Sequence, residues 1–278
     1  MKNLSYNLQI VVSDELEKYS RNFVDGFLKR TIIDPALVVD LSFYPTHAEY
    51  RKDPKRSFAG PVYSEKNDEH FTIHMCEEGL KDIPSLALQG WLEHIMMRCI
   101  QKLQPEFYQI NFRRNIFPLM PVTGAAANHI LEVVTSLETG LKNYLATAML
   151  IDLGLGLPQV YFYFFNINPN MEDRDNYQET ISHGWTKALF LCRKLQEFMP
   201  IFLLAGGNIE FSVDLRSYWL KDHDYLLQED LSLLKILADM PDRYNKEPYS
   251  FKVIEMFKKI KSHLLTPPKR DLPSPMLH

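Results

Sequence analysis

Cysteine is scarce in this sequence, and its three thiols do not suggest a disulfide framework. Cys76, Cys99 and Cys192 are odd in number, widely separated and surrounded by apolar residues. Small secreted domains that depend on disulfides carry paired cysteines. We therefore predict three free, buried thiols in a protein of the reducing cytoplasm.

An excess of positive charge is also absent. The 278 residues include 31 Lys and Arg against 35 Asp and Glu, mixed along the chain, for a formal net charge of −4. Proteins that bind a nucleic-acid duplex present a basic stripe or patch to its phosphates. The sequence therefore predicts no nucleic-acid partner.

Long uninterrupted apolar runs are missing as well. The most apolar segment, residues 144–167, contains Asp152 and is interrupted by Gly154, Gly156 and Pro158. A membrane-spanning helix needs about 20 consecutive apolar residues, so two buried elements joined by a turn explain this segment better. The first residues lack the apolar core of a signal peptide. We expect a soluble, cytoplasmic protein without a membrane span.

One amphipathic segment, residues 82–103, dominates what is present. Hydrophobic residues make up 46% of the chain and charged residues 24%, enough for a substantial core. Asp82 is the predicted N-cap of a central helix, with Pro84 in its first turn. Apolar residues recur at helical spacing along one face. They are Leu88, Leu92, Ile95, Met96, Cys99 and Leu103.

The opposite side of this predicted helix carries polar character in an otherwise apolar setting. His94 falls there, one turn from Gly90 and from Arg98, and Trp91 and Met97 border it. This pattern predicts a helix that is buried on two faces. A polar group on the second face marks the place where a functional site is expected.

The first third of the chain predicts a β-α-β-β order. The predicted strands cover residues 4–12, 36–44 and 63–77, and an amphipathic helix follows the first strand over residues 13–30. Residues 70–75 alternate between polar and apolar, which is typical of an edge strand. The charged run at residues 51–56 is predicted to be a solvated loop.

The rest of the chain predicts mainly helices. Thr123 can cap a long helix that ends near residue 152, whereas the aromatic run at residues 160–165 fits either a buried strand or a short helix. Further helices are predicted at 175–199, 213–227, 229–240 and 250–265. The fold class is therefore α+β, with a small mixed sheet in the N-terminal third and a mainly helical C-terminal part packed on the central helix.

A domain division follows from this change of character. We predict an α+β subdomain over residues 1–104, a mainly helical subdomain over 105–265 and an exposed, proline-rich tail over 266–278. No internal repeat is visible in the sequence.

No intact catalytic motif occurs. Gly154 and Gly156 lack the lysine and third glycine of a phosphate loop, and no serine lies in a nucleophile-elbow context. His70 and His74 would share a metal on a helix, but on a strand they stand about 13 Å apart. The alternation around them favours the strand.

The central helix resembles the metal-binding helix of zincin metallopeptidases, which carry His-Glu-x-x-His. Within Glu93-His94-Ile95-Met96-Met97-Arg98, His94 matches the first ligand of that motif, whereas Ile95 replaces the catalytic base and Arg98 the second ligand. Isoleucine cannot move a proton, and arginine does not ligate a divalent cation. The resemblance extends over residues 4–154 as element order only. The alternative is a hydrogen-bonded, buried histidine in an unrelated α+β fold.

The resemblance implies a non-catalytic relative that binds no metal and no cofactor. Gluzincins hold their third ligand on a second helix, where this chain has Glu138. We hypothesise that Arg98 and Glu138 form an ion pair in place of the metal. The expected function is binding of a peptide or protein partner in a remnant cleft at Glu93, His94, Arg98 and Glu138. The alternative is an enzyme, a hydrolase of unrecognised type, that uses the cleft around His94 and Glu138.

Overall fold

The computed structural model describes residues 18, 20–23, 26–27, 38–56, 60–67, 70–104, 108–119, 125–166, 171–181, 184–206 and 215–265. The predicted strand at 4–12, the capping role of Thr123 and the predicted tail at 266–278 lie outside these residues. The described residues between 18 and 27 are helical, in agreement with the amphipathic helix predicted there.

A three-stranded mixed sheet forms the β part of the fold. Its strands are β1 (Val38–Tyr44), β2 (Val62–Asn67) and β3 (His70–Cys76), in the order β1-β3-β2. β3 runs parallel to β1 and antiparallel to β2. A short helix, α1 (His47–Tyr50), and a 3₁₀ turn (Pro54–Arg56) lie in the connection between β1 and β2.

The structure corrects two predictions about this sheet. The single strand predicted at 63–77 is the hairpin of β2 and β3, and β3 is the central strand rather than an edge strand. The polar alternation along β3 is real, but its polar face is covered at His74, which is only 5% exposed, whereas His70 at the start of the strand is exposed. A buried polar face and a solvated one have the same sequence pattern, because alternation reports only which residues share a face.

Helices make up most of the remaining described chain. The short helices α2 and α4 flank the central helix α3, and helices of 8 to 28 residues follow. They are α2 (Glu77–Leu80), α3 (Ser85–Lys102), α4 (Phe112–Asn115), α5 (Ala125–Asp152), α6 (Gly156–Asn166), α7 (Met171–Thr180), α8 (Gly184–Gly206), α9 (Leu215–Asp222), α10 (Gln228–Arg243) and α11 (Tyr249–Ile260). A small mixed sheet followed by a mainly helical part confirms the α+β class. No helix in these ranges is long and apolar enough to cross a lipid bilayer.

Several helix boundaries differ from those predicted. The aromatic run at 160–165 belongs to a helix, α6, so the strand alternative is wrong. The helix predicted at 175–199 is two helices, α7 and α8. The central helix begins at Ser85 with Pro84 as its N-cap, so Asp82 is not the cap. Apolar periodicity locates buried faces well but helix ends poorly, because the caps contribute little to it.

The chain divides into two compact units, each built from three segments. Unit 1 comprises Met1–Tyr108, Lys142–Pro169 and Glu197–Asp224. Unit 2 comprises Gln109–Leu141, Asn170–Gln196 and Tyr225–His278. The division at residue 104 that the sequence suggests concerns contiguous subdomains and stays a prediction.

In unit 1, one face of the sheet packs on the apolar stripe of α3. Leu41, Phe71 and Ile73 are fully buried in the same cluster as Leu92 and Met96. Burial of this stripe contributes hydrophobic stabilisation to the unit. The predicted core side of the central helix is therefore confirmed, and Cys76, Cys99 and Cys192 are free and buried as predicted.

In unit 2, a cluster of buried polar side chains connects three helices. The Lys187 ammonium lies 2.9 Å from a carboxylate oxygen of Asp230, and both side chains are almost fully buried. Tyr177 donates its hydroxyl proton to the same carboxylate and accepts the backbone N–H of Leu227. These partners satisfy charges whose burial without a partner would be costly.

Candidate functional site

The second face of α3 is covered by α6, and Gly90 makes this packing fit. A Cβ atom at Gly90 would lie 2.1 Å from the carbonyl oxygen of Pro158 and 2.8 Å from Cβ of Phe162. The Gln159 side chain also donates a hydrogen bond of 2.9 Å to the carbonyl of Gly90. The predicted two-faced burial of α3 is confirmed, and only glycine allows the two backbones to approach this closely.

His94 is enclosed in this interface and is 7% exposed. Its ring stacks on Phe162 with centroids 5.4 Å apart and meets the ring of Tyr163 edge-on at 5.9 Å. Nε2 lies 3.4 Å from Oδ1 of Asn143, and Nδ1 lies 3.5 Å from the Tyr163 hydroxyl. Since the amide oxygen only accepts, Nε2 donates to it and Nδ1 accepts from Tyr163.

This environment keeps the imidazole neutral. Burial, and to a smaller extent the nearby Arg98 guanidinium, lower the pKa of His94 to about 3. Both ring nitrogens are engaged by neighbouring side chains, so neither points a lone pair into open space. His94 therefore packs and forms hydrogen bonds in this structure, as in the alternative of a buried, satisfied histidine.

Arg98 and Glu138, two further residues of the predicted cleft, each form hydrogen bonds with other residues. Arg98 donates to Oε1 of Gln101 at 3.0 Å, and Gln101 donates to the carbonyl of Lys142 at 3.0 Å. Glu138 is buried in unit 2, where the Tyr249 hydroxyl lies 3.2 Å from its carbonyl oxygen and 3.4 Å from Oε1. Arg98 belongs to unit 1, so the proposed ion pair between the two stays a prediction.

Glu93, the fourth predicted residue, lies at a cavity. Its carboxylate accepts hydrogen bonds from the amides of Gln89 at 2.8 Å and Gln159 at 3.2 Å, and the residue is 1% exposed. The cavity has a volume of about 340 Å³. It lies within unit 1, between the N-terminal helical residues and α3. Its lining consists of Asn22, Phe23, Gly26, Phe27, Gln89, Glu93 and Leu155.

The sequence pattern does not predict this cavity. Glu93 precedes His94 in the sequence, and both side chains contact α6, through Gln159 and Tyr163 respectively. The facing wall comes from Asn22, Phe23, Gly26 and Phe27, some seventy positions away along the chain. The amphipathic pattern of that helix predicts which face is buried. It does not predict whether this face packs fully against α3 or leaves a cavity.

A second buried polar cluster covers the other face of the sheet. The charged run is exposed at Arg51, Lys52 and Lys55, in agreement with a solvated loop, but Arg56 departs from that prediction and is only 8% exposed. Its guanidinium donates to the carbonyl of Tyr50 at 2.8 Å and to the Tyr44 hydroxyl at 3.1 Å, and Nη1 lies 3.0 Å from Nδ1 of His74. Because arginine only donates, Nδ1 of His74 accepts, and Nε2 donates to Glu65 at 3.2 Å.

The His74 ring is neutral in this arrangement. Burial lowers the pKa of His74 below its usual range, Arg56 lowers it further, and the hydrogen bond to Glu65 opposes both effects. The cluster joins a 3₁₀ turn and all three strands through charged and polar groups that satisfy one another. Its geometry is that of a structural network across the sheet.

The described residues contain no group of three or more His, Cys, Asp or Glu side chains arranged to hold a metal ion. Comparison of the chain with family models, with curated proteins and with solved structures finds no match.

Proposed function

We propose that this chain is a non-catalytic protein, zincin-like in the order of its first elements, that binds a peptide or protein partner beside α3. The observation that carries the proposal is the packing around His94. A histidine that serves as metal ligand or general base must present a nitrogen to a bound ion or substrate. In this chain, Phe162, Tyr163 and Asn143 occupy the space around both nitrogens.

The residues that flank His94 support the same conclusion. Ile95, at the position of the catalytic base, is buried in the apolar cluster of unit 1. Arg98, at the position of the second ligand, places a positive charge near the imidazole and disfavours a cation there. Neither residue supplies proton transfer or metal coordination.

The cavity at Glu93 is the site proposed for the partner. An edge strand, as the sequence predicted for residues 70–75, could accept a partner strand, but β3 already hydrogen-bonds to β1 on one side and to β2 on the other. The cavity, by contrast, combines concave shape, apolar walls and a few convergent polar groups, the usual features of a binding site.

The first test concerns catalysis and metal. Purified protein should contain no stoichiometric zinc and should show no peptide hydrolysis above that of His94→Ala. One equivalent of zinc that disappears in His94→Ala, or hydrolysis that this substitution abolishes, would overturn the proposal and favour the hydrolase alternative.

The second test concerns binding. Selection of a displayed random-peptide library on the folded chain should enrich peptides whose binding is lost in Gly26→Leu. A Cβ at Gly26 meets no atom within 4 Å among the described residues, so this substitution fills the cavity from its rim without a clash at Cβ. Enriched peptides that bind Gly26→Leu equally well would place the partner elsewhere and contradict the proposed site.

A further inference from the structure

The polar cluster around His74 attaches one turn of the chain to the sheet. This turn, residues 51–56, follows α1 and ends with the 3₁₀ turn. Most of its side chains are exposed, whereas Arg56 is buried. Arg56 donates to the Tyr44 hydroxyl of β1 at 3.1 Å, and its Nη1 lies 3.0 Å from Nδ1 of His74 on β3. Arg56 is therefore the buried anchor of the 51–56 turn.

This anchor requires a neutral His74. Arg56 has only donors, so Nδ1 of His74 must accept, and the ring proton resides on Nε2, which faces Glu65. An imidazolium carries an N–H group on each nitrogen. Two donors and two positive charges would then meet at 3.0 Å within a buried cluster, where water screens charges poorly. Protonation of His74 therefore breaks its hydrogen bond with Arg56.

The groups around the ring determine which side chain stays on the sheet. Two aromatic rings lie against the imidazole, those of Tyr44 and Tyr63. Glu65 lies 3.2 Å from Nε2 of His74 and 3.3 Å from the exposed ammonium of Lys55, and it would hold an imidazolium in place. Asp53 belongs to the turn and lies 3.9 Å from Nη1 of Arg56, so a released Arg56 keeps an acidic neighbour. The exposed pair of Lys55 and Glu65 contributes little to the attachment, and repulsion moves Arg56 rather than His74.

We propose that His74 makes the attachment of this turn depend on pH: when the imidazole gains a proton, Arg56 leaves the sheet and the 51–56 turn detaches with it. The backbone pairing of β1, β3 and β2 involves none of these side chains, so the sheet stays intact. Burial, and to a smaller extent Arg56, lower the pKa of His74 below its usual range, whereas Glu65 and Asp53 oppose them. The turn is therefore attached at neutral pH and is released below about pH 6.5.

The experiment follows the folded, ¹⁵N-labelled chain by NMR from pH 7.5 to pH 4.5. It reads the ring nitrogens of His74 and the Nε–H group of Arg56, which donates to the carbonyl of Tyr50 at 2.8 Å in the attached state. The Arg56 signal should move to the position of a free arginine with the same midpoint as the His74 ring, while the amides of α3 keep their folded positions. An Arg56 signal that stays unchanged while His74 titrates, or loss of the α3 signals at the same midpoint, would overturn the inference.

Matched variants identify the group that responds to pH. His74→Gln should keep Arg56 bound over the whole range, because an amide oxygen accepts a hydrogen bond and does not titrate. Two controls should leave the transition unchanged: His70→Gln, at an exposed residue of the same strand, and His47→Gln, at the start of α1. A transition that persists in His74→Gln, or that disappears in either control, would assign the response to another group.

Arg56→Met provides a measurement that does not depend on the folding of His74→Gln. Coupling between two sites is reciprocal, so removal of the guanidinium should raise the pKa of His74 toward about 6.5. The ring signals of His74 in this variant give the midpoint. A midpoint equal to that of the wild-type chain would show that His74 and Arg56 are not coupled, and the proposed release would then be wrong.

Discussion

At the scale of the residue, Gly90 and His94 show how single side chains determine the packing of α3. Gly90 lets α6 approach so closely that the carbonyl of Pro158 occupies the place of a side chain. One turn further, the His94 ring fills the interface, and Asn143 and Tyr163 form hydrogen bonds with its two nitrogens. The same face of α3 therefore leaves no room for a side chain at Gly90 and is filled by an imidazole ring one turn later, at His94.

A comparison of two helical glycines tests this close approach. Gly90→Ala should lower the free energy of unfolding by about 3 kcal/mol, the upper end for overpacking, because the added methyl group meets backbone atoms that cannot move aside. Gly26→Ala should instead raise it by about 0.5–1 kcal/mol, since its Cβ position is open among the described residues and alanine favours a helix. Urea unfolding measures both. Similar effects of the two substitutions would contradict the packing of α6 on Gly90.

At the scale of the element, the sequence predicted the buried faces better than their partners. The stripe of α3, its second face and the long helix α5 followed from periodicity, because burial repeats with the geometry of the helix. The partner of the second face was not predictable. The aromatic run that forms α6 is apolar on most sides, and such a run satisfies both a strand and a helix pattern.

The sheet gives the same lesson for polar residues. The alternation along β3 correctly separated its two faces, yet His74 is covered by Tyr44, Tyr63 and Arg56. Arg56 reaches this face from the 3₁₀ turn, which lies eighteen residues before His74. A charged run gives no signal that one of its members is buried, because the burial depends on acceptors that are distant in the sequence.

A matched pair of substitutions in that run tests the role of Arg56. Arg56→Met should lower the free energy of unfolding by about 1–3 kcal/mol, because the carbonyl of Tyr50 and Nδ1 of His74 lose a buried donor. Lys55→Met, at a side chain that is 65% exposed, should change it by no more than about 0.5 kcal/mol. Chemical denaturation of the two variants provides the measurement, and equal losses would show that Arg56 has no special place in the network.

At the scale of the whole molecule, the two compact units interleave along the chain. Each unit draws on three segments, and the changes from one unit to the other at residues 141–142 and 196–197 fall inside the ranges of α5 and α8. A sequence-based division relies on shifts of composition and on loop signals, and neither occurs inside a helix. Units of this kind become visible only once the contacts are known.

The buried histidines make the stability of the molecule depend on pH. In the folded chain burial lowers the pKa of His94 to about 3, whereas an unfolded histidine titrates near 6.5. Between these two pH values the unfolded state binds a proton at His94 that the native state does not bind. The contribution of His94 to the free energy of unfolding is therefore fully present above about pH 6.5 and is lost as the pH falls toward 3. The lowered pKa of His74 acts in the same direction.

Urea unfolding between pH 7.5 and 4.5 tests this dependence. The contribution of His94 should approach a slope of about 1.4 kcal/mol per pH unit below pH 6, and His94→Gln, which cannot titrate, should remove it whatever its effect at pH 7.5. The exposed His263 provides the control, because His263→Gln changes no buried group and should leave the slope as it is. If His94→Gln kept the wild-type slope, the imidazole would take up its proton in the folded state over the same pH range as in the unfolded state. A charged ring would then lie between Phe162 and Tyr163, and the packing that supports a non-catalytic role would have to be abandoned.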